Sequence, residues 1–210
     1  MHKEIIRKYE ERLTLLNQLS EALNKETNDA LADLLHIDRI SFRIKSSKSF
    51  ADKALDPNNK PPYNNAFVEI EDQVAGRIIV FFINDIDLVI GKLKGTFKSI
   101  ESSFRRPAKD EEFGYESHHL ICLIPPYVKP RGWNARDDLP TTFELQIRTI
   151  FMHAYSEPQH NIGYKSTKEL PKEIRRELAW IAASSWGADK AYQRVWQWFQ
   201  SQHIDENRNN

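Results

Sequence analysis

The chain has 210 residues, and its 30 basic and 30 acidic side chains give a formal net charge of zero. This balance excludes bulk polyanion binding driven by overall charge. The aromatic content of 11% excludes a disordered chain. No apolar run approaches the roughly 20 residues of a membrane-spanning helix, and the single Cys122 excludes an internal disulfide and a multi-thiolate metal site. We therefore expect one globular domain, and a cytoplasmic location fits the lone cysteine.

The N-terminal part of the chain is predicted to be helical. Apolar residues recur every three or four positions over 3–24, which predicts an amphipathic helix, and a second helical stretch is predicted over 27–35. The N-terminal helical segment is therefore 1–35.

Alternating strand and helix patterns follow from residue 36 to residue 168. Strands are predicted over 37–45, 76–83, 99–105, 118–124 and 141–148, with helices over 46–55, 85–96 and 149–164. This order predicts an α/β (α+β) domain with a single mixed β-sheet of about five strands flanked by helices. Proline removes a helical hydrogen bond, so the last of these helices is expected to bend or restart at Pro158.

The C-terminal part is predicted to add one or two helices over 169–200 that pack on the same domain, followed by a frayed tail over 201–210. This segment is rich in aromatic residues. We expect them to pack the terminal helices rather than to bind a ligand; they are Trp180, Trp186, Tyr192, Trp196 and Phe199.

A cluster of cations lies where the first predicted strand runs into a helix. Arg43 and Lys45 share one strand face, and Ser49 and Lys53 share one helix face. Cations on both sides of a helix N-terminus suit a polyphosphate. A solvated surface helix is the alternative.

Carboxylates lie just before the buried strand that contains Arg77. Glu69, Glu71 and Asp72 are oxygen ligands of the kind that Mg²⁺ prefers, together with substrate phosphates. Burial of Arg77 requires a partner, so a structural ion pair with a carboxylate is the alternative.

Two further motifs place polar groups near the later strands. In Gly114-Tyr115-Glu116-Ser117-His118-His119, Tyr115 offers a flat face on which a purine could stack; a turn glycine with a packed tyrosine is the alternative. In the strand over 141–148, Glu144, Gln146 and Arg148 share one face. That face is predicted either to hold a metal and a ligand or simply to be exposed to solvent.

The helix that follows carries His153, Glu157 and His160 on one face. This spacing differs from the His-Glu-x-x-His pattern of zinc proteases, so histidines satisfied by hydrogen bonds are favoured over a zinc site.

Taken in order, these motifs resemble the synthetase domain of RelA/SpoT-type alarmone synthetases, over about residues 35–195. The matching segments are Arg-x-Lys-x-x-x-Ser-x-x-x-Lys at 43–53, Asp-x-x-x-x-Arg at 72–77, Gly-Tyr-x-Ser-x-His at 114–119, Glu-Leu-Gln-Ile-Arg-Thr at 144–149, and His-Ala-x-x-Glu-x-x-His at 153–160 with Tyr-Lys at 164–165. The resemblance implies a nucleotidyltransferase-like fold and a short, synthetase-only enzyme. It also implies that pyrophosphate moves from ATP to the 3′-hydroxyl of GDP or GTP, giving (p)ppGpp and AMP.

The resemblance also assigns roles to individual residues. Asp72 and Glu144 would hold Mg²⁺ and serve as the catalytic pair, with Glu144 activating the 3′-hydroxyl. The expected ATP-binding residues are Arg43, Lys45, Ser49, Lys53 and Arg77. The expected acceptor-binding residues are Tyr115, His119, Gln146, Arg148 and His153.

Two positions depart from the family pattern, and some questions stay open. The glycine usual three residues after the aspartate is replaced by Ala75, with Gly76 next, and Pro158 stands where a helix former is usual. A tRNA 3′ end or an adenosine nucleotide could be the acceptor, with Lys92, Lys94, Lys98, Arg105 and Arg106 as phosphate contacts. A catalytically inactive nucleotide-sensing module is a further alternative. The sequence leaves open a homo-oligomer and an antitoxin partner.

Overall fold

The computed structural model describes residues 1–59, 62–109, 112–163 and 170–208, with side chains left out at 159–163 and 203–208. The strands are β1 (Ile37–Ile44), β2 (Val74–Val80), β3 (Ser99–Arg105), β4 (Ser117–Leu123) and β5 (Thr142–Thr149). The helices are α1 (His2–Glu10), α2 (Leu13–Ala30), α3 (Ser47–Ala54), α4 (Ala66–Glu69), α5 (Ile83–Thr96), α6 (Ile150–Gly163) and α7 (Lys172–Arg208). No helix in these ranges is long and apolar enough to cross a membrane.

The five strands form one sheet in the order β1-β2-β5-β4-β3. β2 and β5 are parallel, whereas the other neighbouring pairs are antiparallel. The predicted single mixed sheet with flanking helices is therefore confirmed. Parallel strands require a long connection, and the segment between β2 and β5, which contains α5, β3 and β4, supplies it.

The N-terminal helices break at a different place from the one predicted. The single helix expected over 3–24 is instead two helices, separated at Glu11 and Arg12, and the second ends at Ala30 rather than continuing to residue 35. At the break the Arg12 side chain is fully buried and donates hydrogen bonds to partners distant in the chain. The break therefore coincides with long-range contacts of the buried Arg12 guanidinium. The spacing of apolar residues in the sequence cannot predict such contacts.

α6 continues through Pro158 as one helix, without the restart that was one of the two outcomes expected there, although the proline removes the backbone hydrogen bond that would reach the carbonyl of Ala154. α7 is one helix that continues past residue 200 to Arg208.

The sequence suggested that the aromatic residues of α7 pack inward, but not all of them do. Trp180 is 67% exposed, and Trp186, Tyr192 and Phe199 are also exposed. Trp196 does pack, with its ring stacked 4.8 Å from that of Phe82. The amphipathic pattern cannot distinguish aromatic residues that pack from those that an unusually long helix leaves uncovered.

One glycine is required by the packing of the sheet. Gly76 faces the apolar side of β2, between Phe42 of β1 and Leu145 of β5. A Cβ atom at this position would lie 2.6 Å from both side chains, and Leu145 is fully buried. The departure from the family pattern, with alanine at 75 and glycine at 76, therefore has a local steric reason.

Replacement of Gly76 by alanine should lower the free energy of unfolding by about 1–3 kcal/mol, because the added methyl overpacks the sheet. Gly91→Ala is the matched control: it lies inside α5 with nothing within 4 Å of the added carbon. There the better helix propensity of alanine should stabilise the protein by up to about 1 kcal/mol. Urea unfolding of both variants measures the difference, and equal effects would contradict the assigned packing.

A buried carboxylate anchors α7 to the end of β5. Oδ2 of Asp189 accepts a hydrogen bond of 2.6 Å from the Thr149 hydroxyl, and Thr149 Oγ1 accepts one from the backbone N–H of Met152 at the start of α6. The pKa of Asp189 is raised to about 6, chiefly by burial and also by the charge of Glu116, whereas the bond from Thr149 and the charge of Lys190 oppose the rise.

Because the folded-state pKa of Asp189 is above its ordinary value of 3.8, the folded protein holds this proton more tightly than the unfolded chain does. The free energy of unfolding should therefore fall as pH rises from about 4 to about 6. Asp189→Asn, which keeps an acceptor for Thr149, should be more stable than the wild type at pH 7.5 and similar to it at pH 4. Thermal unfolding across this pH range checks the prediction, and parallel curves for the two proteins would contradict it.

Candidate active site

The polar side chains of β5 lie on one buried face of the sheet. Glu144 is 4% exposed, Gln146 9% and Arg148 4%, so the alternative of a solvent-exposed sheet face is wrong. The neighbouring strands extend this face: Ala75 and Arg77 of β2 pair with Glu144 and Gln146, and His119 of β4 also pairs with Gln146. The register thus gathers polar groups from three strands.

A cleft of about 470 Å³ opens over this face. It is lined almost entirely by charged and polar side chains, with a single tyrosine. They are Arg43, Lys53, Glu71, Asp72, Arg77, Arg105, Tyr115, His119, Glu144, Gln146, Arg148, Ser156 and Glu157. Asp72 and Glu144, which are 72 positions apart in the sequence, border the same cleft.

Five of these side chains form a closed ring of hydrogen bonds. Arg148 donates to the hydroxyl of Tyr115 (2.6 Å) and to Oε1 of Gln146 (2.7 Å). The Tyr115 hydroxyl lies 3.0 Å from Nε2 of His119. Glu144 closes the ring, with His119 Nδ1 2.6 Å from its Oε1 and Gln146 Nε2 2.8 Å from its Oε2. The directions agree when His119 carries its hydrogen on Nδ1.

The ring sets the charge of Glu144. Burial alone would raise the pKa of this carboxyl, but the hydrogen bonds from His119 and Gln146 hold the pKa below its ordinary value. The guanidinium of Arg105 lies 3.8 Å from Oε1. Glu144 is therefore an ionised carboxylate whose two oxygens are fixed in direction.

Asp72 lies between two lysines at the other side of the cleft. Its Oδ2 is 2.6 Å from Lys45 Nζ and its Oδ1 is 2.9 Å from Lys53 Nζ. Burial would raise the pKa of Asp72, but the charges of both lysines and their hydrogen bonds hold it below the ordinary value. Lys45 immediately follows β1 and Lys53 lies in α3, so the aspartate ties the end of β1 to α3.

The other residues expected to bind ATP differ in how freely a ligand could reach them. Arg43 is exposed and lines the cleft. Arg77 pairs with Glu157 of α6 at 2.7 Å, which is the ion pair that the sequence offered as an alternative for this arginine. Ser49 lies in the first turn of α3, and its hydroxyl accepts a hydrogen bond from Ser46. It does not line the cleft.

The turn that carries Asp72 is braced from behind by Arg12. Arg12 donates to Oε1 of the neighbouring Gln73 (2.7 Å) and to the backbone carbonyls of Phe67 and Asp138. Gln73 in turn donates to the carbonyls of Phe67 and Ile70, both at 2.9 Å. The N-terminal helices thereby fix the position of an acidic residue in the cleft.

The donor chemistry of the cleft fits a hard divalent cation. Two ionised carboxylates, Asp72 and Glu144, border it, and Glu71 adds a third. Burial and the charge of Glu101 raise the pKa of Glu71. Carboxylate oxygens together with phosphate oxygens are the usual ligands of Mg²⁺. Lys53 would then be released from Asp72 toward the phosphates.

Comparison with known proteins places this cleft in a family. The family model described as a region found in RelA/SpoT proteins matches residues 42–169, more than half of the chain. The chain belongs to the RelA/SpoT family. The matched range contains every residue of the ring around Glu144, and also Asp72 with its partners Lys45 and Lys53, but it does not include the N-terminal helices α1 and α2.

Similar proteins bear names that describe one activity. A GTP pyrophosphokinase of Bacillus subtilis, YwaC, is 29% identical over 146 residues, which cover 68% of this chain and 65% of that protein. The match thus spans slightly less than two thirds of this relative. The crystal structure of small alarmone synthetase 1 from B. subtilis shares the fold, with a TM-score of 0.74 at 22% identity over 92% of this chain and 98% of that one.

The same B. subtilis enzyme has been solved bound to its product pppGpp. That structure has a TM-score of 0.68 at 20% identity and covers 90% of this chain and 96% of its own. At this level of identity the likeness establishes the fold of this RelA/SpoT protein and nothing finer.

The structure of this RelA/SpoT protein brings most of the predicted site residues together. Nine of the twelve line the cleft, and Lys45 reaches it through Asp72. His153 lies at its margin, 3.1 Å from Arg39 Nη2, and its pKa is lowered by burial and by the charge of Arg77. The side chain of His160, and Tyr164 and Lys165, lie outside the described residues. Among the described residues, no cluster of three or more metal-ligating side chains is found.

Four lining residues were not predicted as site residues: Glu71, Arg105, Ser156 and Glu157. Arg105 was proposed only as a phosphate contact for an alternative acceptor, although strand alternation places it on the same face as His119 of β4. Glu71 was considered only among the carboxylates suited to Mg²⁺, and Glu157 only in the disfavoured zinc pattern. Ser156 carries no signal of its own in the sequence.

Removal of the His119 side chain should raise the pKa of Glu144, because the burial that opposes ionisation stays while the largest compensating hydrogen bond is lost. His119→Ala is the test, and His118→Ala is its matched control on the opposite face of the same strand. Carboxyl-carbon NMR titration, with Glu144 assigned from Glu144→Gln, reports the shift. An unchanged Glu144 titration in His119→Ala would show that the ring does not set its charge.

Proposed function

We propose that this chain transfers the β,γ-pyrophosphate of ATP to the 3′-hydroxyl of GDP or GTP, with (p)ppGpp and AMP as products. The observation that carries the proposal is the convergence of two ionised carboxylates, Asp72 and Glu144, on one cleft between a cationic edge and an aromatic edge. The names of the relatives, GTP pyrophosphokinase and small alarmone synthetase, support the same reaction. A structure of the related synthetase with AMPCPP, an ATP analogue, supports ATP as the donor.

ATP would bind at the edge formed by β1, α3 and the start of β2. Arg43, Lys45, Lys53 and Arg77 supply positive charge there, and Ser49 lies at the N-terminal turn of α3. Each of the lysines is paired with Asp72, and Arg77 with Glu157. Binding of the phosphates would therefore exchange internal ion pairs for contacts with the ligand, rather than leave buried cations unpaired.

The acceptor would bind at the edge formed by β4, β5 and the loop before β4. Tyr115 is the candidate stacking surface for guanine. The guanidinium carbon of Arg148 lies 4.8 Å from the centroid of the Tyr115 ring and holds that ring in place. His119 and Gln146 orient Glu144 toward the cleft. His153 would contribute at the margin, near Arg39.

In the reaction, the 3′-oxygen of the acceptor attacks the β-phosphorus of ATP, and the bond from that phosphorus to the α,β-bridging oxygen breaks, releasing AMP. Glu144 accepts the hydroxyl proton. Its low pKa makes it a weak base, so its orientation of the hydroxyl should matter as much as proton removal. This agrees with the dominance of positioning and charge neutralisation in phosphoryl transfer.

Mg²⁺ is the cofactor that we propose, held by Asp72 and Glu144. When bound, it would supply positive charge that neutralises the phosphates of the donor. The lysines beside Asp72 supply the remaining positive charge at the donor edge.

Other acceptors remain to be compared with GDP and GTP. A tRNA 3′ end would use additional cations, but Lys92 is paired with Asp33 and Arg105 faces Glu144. An inactive sensing module would not need both carboxylates. The cytoplasmic location, a homo-oligomer and an antitoxin partner stay predictions of the sequence.

Labelled ATP, incubated with Mg²⁺ and in turn with GDP, GTP, AMP or tRNA, should yield AMP and a 3′-pyrophosphorylated guanosine nucleotide, resolved by thin-layer chromatography. Glu144→Gln and Asp72→Asn should each lower turnover by roughly 10²–10⁴-fold, because each removes a charged group from the reacting centre. Glu21→Gln, an exposed carboxylate of α2, is the control. Full activity in Glu144→Gln, or transfer to tRNA alone, would overturn the proposal.

A further inference from the structure

One basic residue lines the acceptor edge of the cleft without belonging to the ring around Glu144. Arg105 is the last residue of β3, and it pairs with Ser117 of β4. Directly paired residues share one face of a sheet, and Ser117 is small, so the Arg105 side chain can extend over β4 toward β5. There its Nη2 lies 3.8 Å from Oε1 of Glu144.

Arg105 lies beside the Glu144 carboxylate but does not hold it. The distance of 3.8 Å is too long for a hydrogen bond. Both carboxylate oxygens have closer partners, His119 at 2.6 Å and Gln146 at 2.8 Å. The Arg105 side chain is 56% exposed. It can therefore turn toward a ligand without breaking the ring.

The other basic side chains that line the cleft are either committed to partners or lie at the donor edge. Lys53 and Arg77 each form an ion pair with a carboxylate. Arg148 donates its hydrogen bonds within the acceptor edge. Arg43 is exposed on β1, at the donor edge. Among the described residues, Arg105 is thus the lining cation of the acceptor edge that a phosphate could engage at little cost.

The distance between Arg105 and Glu144 indicates which phosphate that would be. In the proposed reaction the acceptor 3′-hydroxyl lies within a hydrogen bond of Glu144, at roughly 2.6–3.2 Å. The attacked phosphorus lies about 3–3.5 Å from the 3′-oxygen. Its non-bridging oxygens are then within reach of a guanidinium that starts 3.8 Å from the carboxylate. The ribose separates the 5′-phosphates of the acceptor from this point.

A guanidinium at this position answers two electrostatic needs of the transfer. Negative charge spreads over the non-bridging oxygens of the phosphoryl group as it moves, and a planar, permanently charged guanidinium can donate to two of them at once. The ionised Glu144 would also repel the incoming phosphate. Arg105 offsets that repulsion from the side opposite the donor-edge cations.

We propose that Arg105 is a further catalytic residue, which binds the β-phosphoryl group of ATP while that group passes to the acceptor. The inference rests on the proposed function and adds no bond to it. The oxygen–phosphorus bonds that form and break are those already given, the hydroxyl proton goes to Glu144, and Arg105 keeps its own protons throughout.

Turnover kinetics test the role of Arg105. Arg105→Ala should lower kcat roughly 10²–10³-fold, as the loss of a donor to transition-state charge does elsewhere, and should change the KM of the acceptor little. Arg105→Lys should recover part of the rate, because it restores the charge without the planar fork. Arg131→Ala, which removes an exposed arginine outside the cleft, is the control and should match wild type.

A series of acceptors identifies the phosphate that Arg105 contacts. With GTP, GDP and GMP, the factor by which Arg105→Ala lowers kcat/KM should be constant, because the transferred group comes from ATP in every case. A factor that shrinks as the acceptor loses 5′-phosphates would show that Arg105 binds those phosphates instead, and it would overturn the proposal.

Calorimetric titration separates a failure of this inference from a failure of the proposed function. GDP and ppGpp differ only in the 3′-pyrophosphate, so Arg105→Ala should weaken ppGpp binding roughly tenfold or more and leave GDP binding unchanged. Circular dichroism verifies that the variants are folded. If wild type binds neither nucleotide and transfers nothing, the proposed function is wrong, and the role of Arg105 is wrong with it. If wild type is active but Arg105→Ala matches Arg131→Ala in both assays, only the role of Arg105 is wrong.

Discussion

The closed ring of hydrogen bonds through Glu144 is the constraint on which the cleft depends. A carboxylate that is 4% exposed would ordinarily be driven toward its neutral form, because burial penalises the charge. Here His119 and Gln146 each donate to a different oxygen, and Arg148 holds both the glutamine and, through Tyr115, the histidine. Since every member has its partner inside the ring, no side chain can rotate without breaking two bonds.

The second carboxylate is stabilised in a different way, by charge rather than by a neutral network. Asp72 has an ammonium group on each oxygen, and the turn before β2 that carries it is fixed by the contacts of Gln73 with Arg12. Arg12 is fully buried among the aromatic rings of Tyr9, Phe50 and Phe67. The N-terminal helices are thus linked to the catalytic geometry although they contribute no lining residue. Glu144 is held rigidly, whereas the ion pairs of Asp72 with its two lysines can be exchanged for contacts with a ligand. This combination suits a cleft that must receive a highly charged donor.

The sequence predicted those parts of the fold that depend on local pattern. β1, α3 with its Ser46 cap, α5 and β3 lie close to the predicted ranges, because alternation and capping act over a few residues. The polar face of β5 was also predicted from its alternation. The break at Arg12, the contact between Arg77 and Glu157, and the lining role of Ser156 were not, since each depends on residues brought together by the whole fold. The exposure of Trp186 could not be predicted either, because it depends on where a 37-residue helix leaves the domain.

The sheet separates two environments along the same backbone, and this separation explains the position of its glycine. On β2, Ala75 faces the cleft beside Glu144, while Gly76 faces the core between Phe42 and Leu145. A shift of one residue would place a methyl group in the core and remove one from the cleft. On β4 the same alternation sends His119 to Glu144 and His118 to Phe104. A displacement of β4 along its axis would therefore alter the ring around Glu144 and the stacking of His118 on Phe104 together. Antiparallel pairing with both β3 and β5 resists such a displacement, and so it keeps the hydrogen bond between His119 and Glu144 in place.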